Sequence, residues 1–490
     1  MRLLLVHPSP LMYSEVFLRL EPLGLERVAA AARAAGHDVR ILDLQLFHHA
    51  HFFRALSAFR PEAVGFSLNY LANVPEVVDL ARAVRRRLDA FVFVGGHSAS
   101  FIAAELLEHG QGAIDCVVRG EGEAITPRVL EAARDGGLET LPGVVTARGS
   151  GPAPTLLESL DDHRPARDLT RRRHRYFIGV LDPCASIEFT RGCPWDCAFC
   201  SAWTFYGRSY RTVSPAVAAD ELARVPERHV FLVDDVAFIK PEHGLAIADA
   251  IERRGIRKQY YVETRCDVLL RNQEVFARWR RLGLRYMFLG LEALDEEGLR
   301  RHRKRVRPGE NFRALEVARA LGVTVAINII ADPDWDEARF AAVREWAQAV
   351  PEIVHLTVNT PYPGTETWHT EGRRLTTLDY RLFDVQHAVL PTRLPLARFY
   401  AELVRTQAVI HRKHLGVGAF RRALPTIGSL LARGQTNFVR SLWRFNGVYN
   451  AARQLAEHDR AVRYAMRAPA ARPRPGVRDL YVHQPASRPA

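Results

Sequence analysis

The sequence predicts an α/β protein that begins with a doubly wound parallel sheet, continues as a partial (β/α)6 barrel and ends in a mostly helical region. Three observations predict this fold class. Apolar strand-like runs alternate with helical patterns over residues 1–148, six more such units follow over 181–395, and helical spacing continues over 396–470. Residues 149–180 hold glycine, proline and clustered charges, which indicates a linker. Residues 471–490 are predicted to be a disordered tail.

Five apolar runs form the predicted strands of the first, Rossmann-like sheet. They are MRLLLVHPSP, VRILDLQ, PEAVGFSLNY, AFVFVGGHSAS and AIDCVVRGEGE. Sheets of this kind bind ligands beyond the carboxyl ends of their strands, where glycine lets a ligand approach the backbone closely. The candidate binding residues at these ends are Ser67, Gly95, Gly96, His97, Gly120, Glu121 and Gly122. The sequence of this region contains no G-x-G-x-x-G fingerprint, so a dinucleotide is not expected.

Six further apolar runs predict the strands of the barrel. They are SIEFTRG, HVFLVDD, QYYVETR, RYMFLGLEA, VTVAINIIADPD and IVHLTVNTPYPGT. A parallel barrel places its site at the carboxyl ends of its strands. The polar residues at these ends are Asp234, Asp235, Glu263, Arg265, Glu292 and Asn328. Any one of these acids could instead cap a helix, but their recurrence over several strands indicates a ligand site.

Three of the six cysteines lie within eight positions, as Cys193, Cys197 and Cys200. The chain has no secretory signal and no run of eighteen apolar residues, so we expect a cytoplasmic protein with reduced thiols. Structural zinc usually takes four ligands, and no second cysteine pair or nearby histidine completes such a set in the sequence. Thiolates also hold iron–sulfur clusters, and three of them leave one iron of a four-iron cluster open to a small molecule. The other cysteines are predicted to be small buried residues.

The C-x3-C-x2-C spacing, with Phe199 before the last cysteine, resembles the signature of radical S-adenosylmethionine enzymes. In that family the open iron chelates S-adenosylmethionine, which an electron from the cluster cleaves to a radical. The resemblance implies a 4Fe-4S cluster on the three cysteines. It also implies S-adenosylmethionine contacts from Phe199, Asp234 or Asp235, Glu263, Arg265, Glu292 and Asn328. The family often has a glycine-rich turn after the fifth strand, where this sequence has ADPDWDE.

The segments VGGHSAS and DCVVRGEGE resemble the cobalamin-binding domain of radical S-adenosylmethionine methylases. The resemblance implies that the first sheet binds cobalamin at the seven residues named above. The cobalt-ligating motif D-x-H-x-x-G is missing, which leaves His7 and His97 as possible lower ligands. Cobalamin without a protein histidine is the expected form. The alternative that the first domain only docks against the barrel stays open.

The runs SAWTFYGRSYR, KQYYVETRCDVLLRN and NTPYPGTETWHTEGRRL resemble the hopanoid C-3 methylases, a branch of the same family. The resemblance implies a C-methyltransferase that acts on ring A of a hopanoid lipid and takes electrons from a donor such as ferredoxin or flavodoxin. Two alternatives remain at this point. One is a related methylase or cyclase for a tetrapyrrole or antibiotic precursor, and the other is a non-catalytic cobalamin and iron–sulfur sensor.

Positive charge is concentrated after residue 395. Residues 396–490 carry 17 Lys and Arg against four Asp and Glu, which accounts for the whole net charge of +13. Nucleic acid and an anionic membrane are the two partners that such charge favours. Nucleic acid is the less expected one, because the extra domains of RNA-modifying relatives are missing from the sequence. Peripheral contact with the inner face of the membrane is therefore expected, with Phe399, Tyr400, Phe420, Phe438, Trp443 and Tyr449 interleaved among the basic residues.

Overall fold

The computed structural model describes residues 1–13, 15–415, 417–469 and 477–483, with some stretches between 414 and 446 described for the backbone only. The first region comprises β1 Arg2–His7, β2 Leu18–Arg19, α1 Leu23–Ala34, β3 Asp38–Asp43, α2 His49–Phe59, β4 Ala63–Ser67, α3 Val74–Arg85, β5 Phe91–Gly95, α4 Ala103–Gly110, β6 Cys116–Val118, α5 Ile125–Asp135 and β7 Val144–Thr146. Strands and helices therefore alternate as the sequence predicts.

The first sheet has the order β3-β1-β4-β5-β6-β7. The five predicted strands are all present and parallel, and β1 lies between β3 and β4 and pairs with both. Their apolar side chains are buried on both faces, as helix-covered parallel strands require. The edge strand β7 pairs antiparallel to β6 and was not predicted, because three residues carry too little periodicity to reveal a strand.

The second region follows the linker. Its elements are β8 Phe177–Ile178, β9 Cys184–Ile187, β10 Thr190–Arg191, α6 Ala202–Phe205, β11 Arg211–Thr212, α7 Pro215–Arg224, β12 His229–Leu232, α8 Pro241–Arg253, β13 Gln259–Arg265, α9 Cys266–Arg271, α10 Gln273–Leu282, β14 Leu284–Glu292, α11 Glu296–Arg301, α12 Pro308–Ala320, β15 Thr324–Ala331, α13 Glu337–Ala349, β16 Ile353–Val358 and α14 Glu366–Glu371. Strands β9, β12, β13, β14, β15 and β16 form one parallel sheet in chain order. The six predicted strands are confirmed, and β9 and β16 stand at opposite edges of a partial barrel.

One barrel strand begins earlier than the sequence indicated. We predicted the first strand from residue 186 to the cysteines, whereas β9 spans Cys184–Ile187. The next residues turn away, and β10 forms a short antiparallel pair with β11. The carboxylate of Asp234 causes this turn, because it accepts hydrogen bonds from the amides of Phe189 and Thr190.

The linker is fastened to both sheets by buried ion pairs. Arg167 pairs with Glu21 of the first region at 2.6 Å and with Glu221 of helix α7 at 2.5 Å. Arg173 pairs with Glu21 and with Glu227, before β12. The basic run at 171–175 predicts a solvent-exposed segment. Arg173 differs from this prediction, because its side chain is largely buried and forms ion pairs with two carboxylates.

The carboxyl-terminal region is helical, as predicted. Its helices are α15 Leu396–Leu415, α16 Val417–Ala432, α17 Asn437–Val448 and α18 Ala451–His458. Helix α15 packs on α13 and β16, and this buries Phe399 and Tyr400 completely. Those two aromatics therefore face the barrel and not a membrane. The side chains of Phe420 and Trp443 lie outside the described residues. No described helix is both long enough and apolar enough to cross a bilayer.

The predicted disorder of residues 471–490 is wrong for one stretch. Residues 477–483 are ordered, with a 3-10 turn at Val477–Leu480. Leu480, Val482 and His483 are buried between other parts of the chain. The high proline and arginine content predicts disorder, but the few apolar residues of this stretch pack against the rest of the chain. Residues 471–476 and 484–490 lie outside the described residues.

Candidate cofactor site at the facing ends of the two sheets

The cluster loop, residues 193–200, follows β10 at the carboxyl end of the first barrel strand. Helix α6 begins directly after it and fixes its shape. Trp203 donates from Nε1 to the Cys197 carbonyl oxygen at 3.0 Å, and the Ala202 amide donates to the Cys200 sulfur at 3.4 Å. The loop is thus held by its own neighbours in a form that brings the three cysteine side chains near one another.

Without a bound metal, the thiols of the cluster loop are difficult to ionise. Burial raises the pKa of the Cys193 thiol to about 12, and it raises the pKa of the Cys200 thiol as well. Bound iron would supply the positive charge that ionises them. Arg265 adds to that charge, because Nη1 donates to the Cys197 sulfur at 3.5 Å while the guanidinium stacks on the Trp195 ring at 4.5 Å.

A cluster and a single ion make different demands on such residues. Among the residues that the structure describes, no three His, Cys, Asp or Glu side chains surround one position closely enough for a single ion. A four-iron cluster needs its thiolates further apart, one on each of three irons. Cys193 and Cys197 lie near enough to Cys200 to raise its pKa further, as thiols that share one cluster would.

The two aspartates after β12 have different roles. Asp234 is 2% exposed, and both of its oxygens accept hydrogen bonds, from the amides of Phe189 and Thr190 and from the Thr190 hydroxyl. Asp235 is exposed, and one oxygen accepts from the Gly192 amide at 2.8 Å. The sequence left these two open as ligands for the amino group. The geometry favours Asp235, because Asp234 is used to hold the turn before the cluster loop.

A wall of carboxylates continues from Asp235 across the next strands. Burial, with the charges of Asp235 and Glu292, raises the pKa of Glu263 to about 7. Although Asp235 is accessible to solvent, desolvation by the protein crowded around its carboxylate raises its pKa to about 6. Glu292 has the strained φ of +68° beside a break in the β14–β15 register, and Lys304 holds its carboxylate at 3.0 Å. Carboxylates that repel one another in this way would gain from a cationic ligand.

The remaining predicted barrel residues lie around this wall. The Phe199 ring meets the His302 ring edge-on at a centroid distance of 5.5 Å. Asn328 donates to the Thr357 hydroxyl at 2.9 Å, while its carbonyl oxygen is buried without a hydrogen-bond partner. A buried acceptor of this kind is costly unless a ligand satisfies it, so Asn328 fits a binding role. Arg265 differs, since Asp267 and the Lys304 carbonyl also hold it.

The interdomain cleft lies between the carboxyl ends of the two sheets. It is open to solvent and has a cavity volume of about 380 Å³, which lies within the 300–1000 Å³ that is usual for a ligand pocket. The first sheet lines it with Ser67, Gly95, Gly96, His97, Gly120, Glu121 and Gly122, which are the seven residues predicted to bind cobalamin. The barrel lines it with Glu188, Arg191, Phe205, Tyr206 and Val233. The contacts of those seven residues with cobalamin stay a prediction.

The geometry at His97 favours cobalamin without a protein histidine. Nε2 of His97 lies 2.8 Å from the Ser201 hydroxyl, and the ring stacks on Phe205 at 4.6 Å. Burial lowers the pKa of His97 to about 4, so the imidazole is neutral. The other candidate, His7, has Nδ1 3.0 Å from the Pro8 carbonyl and 3.5 Å from Asp43. Both rings are already held by the protein.

The side chain of Glu121 is turned toward the barrel. It pairs with Arg191 and with Arg211, each at 2.7 Å, and also accepts from the Leu157 amide at 2.7 Å. Burial would raise the pKa of Glu121, but hydrogen bonds and charge from the two arginines lower it to about 2. Glu121 therefore joins the domains through its side chain and faces the cleft only in part.

Sequence reasoning missed several residues of this site. Tyr70 is half-exposed and lines the space between the domains, where desolvation by the surrounding protein and, less strongly, the charge of Glu263 raise its pKa. Arg191 lies just before the cysteine motif, and its nearness to the motif was an available signal. Lys304 offered none, because it lies in a run of arginines that resembles an ordinary solvated loop.

Two family models match separate parts of the chain. The B12 binding domain matches residues 11–130, and the Radical SAM superfamily matches residues 187–347. These ranges fall on the first sheet and on the barrel. The match of a B12 binding domain with the first sheet argues against the alternative that this domain only docks against the barrel.

Two curated relatives extend the comparison. The hopanoid C-3 methylase of Methylococcus capsulatus is 61% identical over 492 residues, covering 100% of this chain and 96% of the relative. The anaerobic magnesium-protoporphyrin IX monomethyl ester cyclase of Rubrivivax gelatinosus is 24% identical, covering 82% of this chain and 75% of its own length. Likeness to the first relative is thus much the stronger and extends through the carboxyl-terminal region.

Two solved structures share the fold. The radical S-adenosylmethionine methyltransferase TsrM of Kitasatospora setae, with cobalamin and a [4Fe-4S] cluster bound, has a TM-score of 0.62 at 17% identity, covering 80% of this chain and 83% of that one. The cobalamin-dependent radical enzyme OxsB, with aqua-cobalamin and S-adenosylmethionine bound, has a TM-score of 0.59 at 16% identity, covering 72% and 53%. Both share the pairing of the two sheets.

Proposed function

The chain belongs to the cobalamin-binding radical S-adenosylmethionine methyltransferases, in the family of hopanoid C-3 methylase, and from this premise we propose that it methylates C-3 in ring A of hopanoid lipids. The identity to that methylase over the full length of the chain carries the proposal. An electron donor such as ferredoxin or flavodoxin completes the proposed system.

The bound cofactors supply radical cleavage of the C–H bond and the methyl group that replaces the hydrogen. The protein supplies binding and orientation. Cys193, Cys197 and Cys200 would hold the 4Fe-4S cluster. Asp235 and Glu263 offer negative charge to the cationic end of S-adenosylmethionine. The first sheet would hold cobalamin at the carboxyl ends of its strands, which line the cleft that faces the barrel.

Lipid analysis tests the proposed substrate. We expect a host that makes hopanoids without a C-3 methyl group to accumulate hopanoids heavier by one methylene when it expresses this chain. The same host expressing Cys200→Ala provides the matched control and should make none, since the acceptor carbon is unreactive without the cluster. Mass spectrometry of triterpenoid extracts gives the measurement. Unmethylated hopanoids together with cleaved S-adenosylmethionine would contradict the substrate and direct the search to tetrapyrroles in the same extracts.

We also propose that helix α16 is the part that touches the membrane. Leu424 and Leu431 on this helix are each 49% exposed, and Arg421 and Arg433 at its two ends are exposed as well. Apolar side chains next to basic ones suit the boundary of an anionic bilayer, where each Lys or Arg contributes about 1 kcal/mol. A lipid substrate would reach the enzyme from that surface.

Vesicle co-sedimentation tests this contact. We expect binding to anionic vesicles to fall several-fold in Leu424→Glu and Leu431→Glu and to weaken with salt, because salt screens the arginines. Val462→Glu serves as the matched control, since Val462 is 51% exposed and lies outside α16. Equal binding by all three variants, or stronger salt-sensitive binding to tRNA, would contradict the assignment.

A further inference from the structure

We propose that residues 477–483, here named the carboxyl-terminal clasp, are part of the cofactor site, and that His483 positions the Gly120–Glu121 turn of the first sheet against helix α6 of the barrel. His483 is 0% exposed, although it lies near the end of the chain. Burying an imidazole is costly unless its nitrogens have partners. The contacts of His483 therefore decide what the clasp does.

The two ring nitrogens of His483 form hydrogen bonds to different domains. Nδ1 donates to the Phe205 carbonyl oxygen at 2.6 Å, and Nε2 accepts from the Glu121 amide at 3.3 Å. One neutral tautomer, with its proton on Nδ1, satisfies both bonds. The Val482 amide adds a bond to the Thr204 carbonyl at 2.9 Å. The clasp thus lies along α6 and reaches from there to the first sheet.

The first sheet is shaped to receive this ring. Gly120 has a φ of +81°, and a Cβ placed on it would lie 2.5 Å from Nε2 of His483. The sequence suggested that Gly120 leaves room for a ligand in the cleft. In the structure the space beside it is filled by His483, so the glycine is needed for the contact with the clasp.

Both partners of His483 belong to the wall of the interdomain cleft. The Phe205 ring stacks on His97, which bonds Ser201 next to the cluster cysteine Cys200. The clasp therefore sets the spacing between the cobalamin-binding turn and the cluster loop. A change in that spacing would let S-adenosylmethionine cleavage proceed without methyl transfer. This proposal rests on the cobalamin site and not on the identity of the lipid.

Four variants of the holoenzyme, two truncations and two substitutions, test the clasp. Truncation after Gly476 removes it, truncation after His483 keeps it, His483→Ala removes the ring, and His483→Gln keeps an acceptor for the Glu121 amide. We expect the first and third to bind hydroxocobalamin at least about tenfold more weakly, because a buried amide loses its acceptor. They should also form more 5′-deoxyadenosine per methylated product. Truncation after His483 should match the wild type, and His483→Gln should recover part of the affinity.

Three further readouts separate positioning from general structure. Hydrogen exchange at the Glu121 amide should quicken in His483→Ala, while iron content should stay unchanged because the cluster loop keeps its own bonds. Unchanged cobalamin affinity and product ratio in His483→Ala would overturn the proposal. A parallel fall in iron content, cobalamin affinity and melting temperature would overturn it as well. If the shorter truncated chain fails to fold, His483→Ala decides. Cobalamin titration needs no lipid, so its result is independent of the substrate assay.

Discussion

Replacing Cys193, Cys197 or Cys200 by alanine is expected to abolish iron–sulfur assembly and all turnover. Each thiolate holds one iron, and the buried loop offers no described substitute ligand at the same place. Reconstituted wild-type protein should contain about four irons per chain, and each variant should fall to background. Iron analysis and 5′-deoxyadenosine formation under anaerobic reduction measure the two effects.

A cysteine outside the motif provides the control for this loss. Cys116 is buried in strand β6 of the first sheet, far along the chain from the cluster loop. Cys116→Ala should keep its iron and its activity, and should lose about 1 kcal/mol of stability through the smaller side chain. A motif variant that still forms 5′-deoxyadenosine at a measurable rate would contradict the cluster assignment.

The parallel sheets were predictable because both of their faces are buried. Strands such as β4 and β5 are nearly continuous apolar runs, and helical patterns separate them in the sequence. The short elements were less accessible. Strand β7 has three residues, and the backbone that leads into β10 is held by hydrogen bonds to Asp234. A contact with a carboxylate 44 positions away leaves no periodic mark on the local sequence.

The sequence predicted which types of residue form the site, but it did not predict the role of each residue. Carboxylates at strand ends indicated a ligand site, yet the sequence could not assign different tasks to Asp234 and Asp235. Burial and hydrogen bonding distinguish them. Glu121 shows the same limit, because its glycine-rich surroundings indicated a ligand contact while its partners Arg191 and Arg211 come from a different domain.

The buried arginine at the domain interface carries the second large effect. The Arg191 side chain, from the barrel, is 7% exposed and pairs with Glu121 at 2.7 Å and with Glu123 at 2.9 Å, both from the first sheet. It also pairs with Glu188 at 2.9 Å. Removing the one cation that touches all three carboxylates leaves buried negative charge with less compensation. Arg191→Ala is therefore expected to lower the free energy of unfolding by about 3–5 kcal/mol.

The pH dependence of stability tests whether the ion pairs of Arg191 are the cause of the predicted loss of stability. The folded pKa of Glu121, about 2, lies below its ordinary value of 4.5, so its contribution is fully present above about pH 4.5 and is lost as the pH falls toward about 2. Arg191→Ala should raise that pKa and flatten the acid side of the stability profile. Urea unfolding of the apoprotein at several pH values measures both effects.

Arg253→Ala is the control, since Arg253 is exposed at the end of α8 and its loss should cost less than about 0.5 kcal/mol. An Arg191→Ala variant that loses less than about 1 kcal/mol, or keeps the wild-type acid slope, would show that Arg211 alone neutralises Glu121.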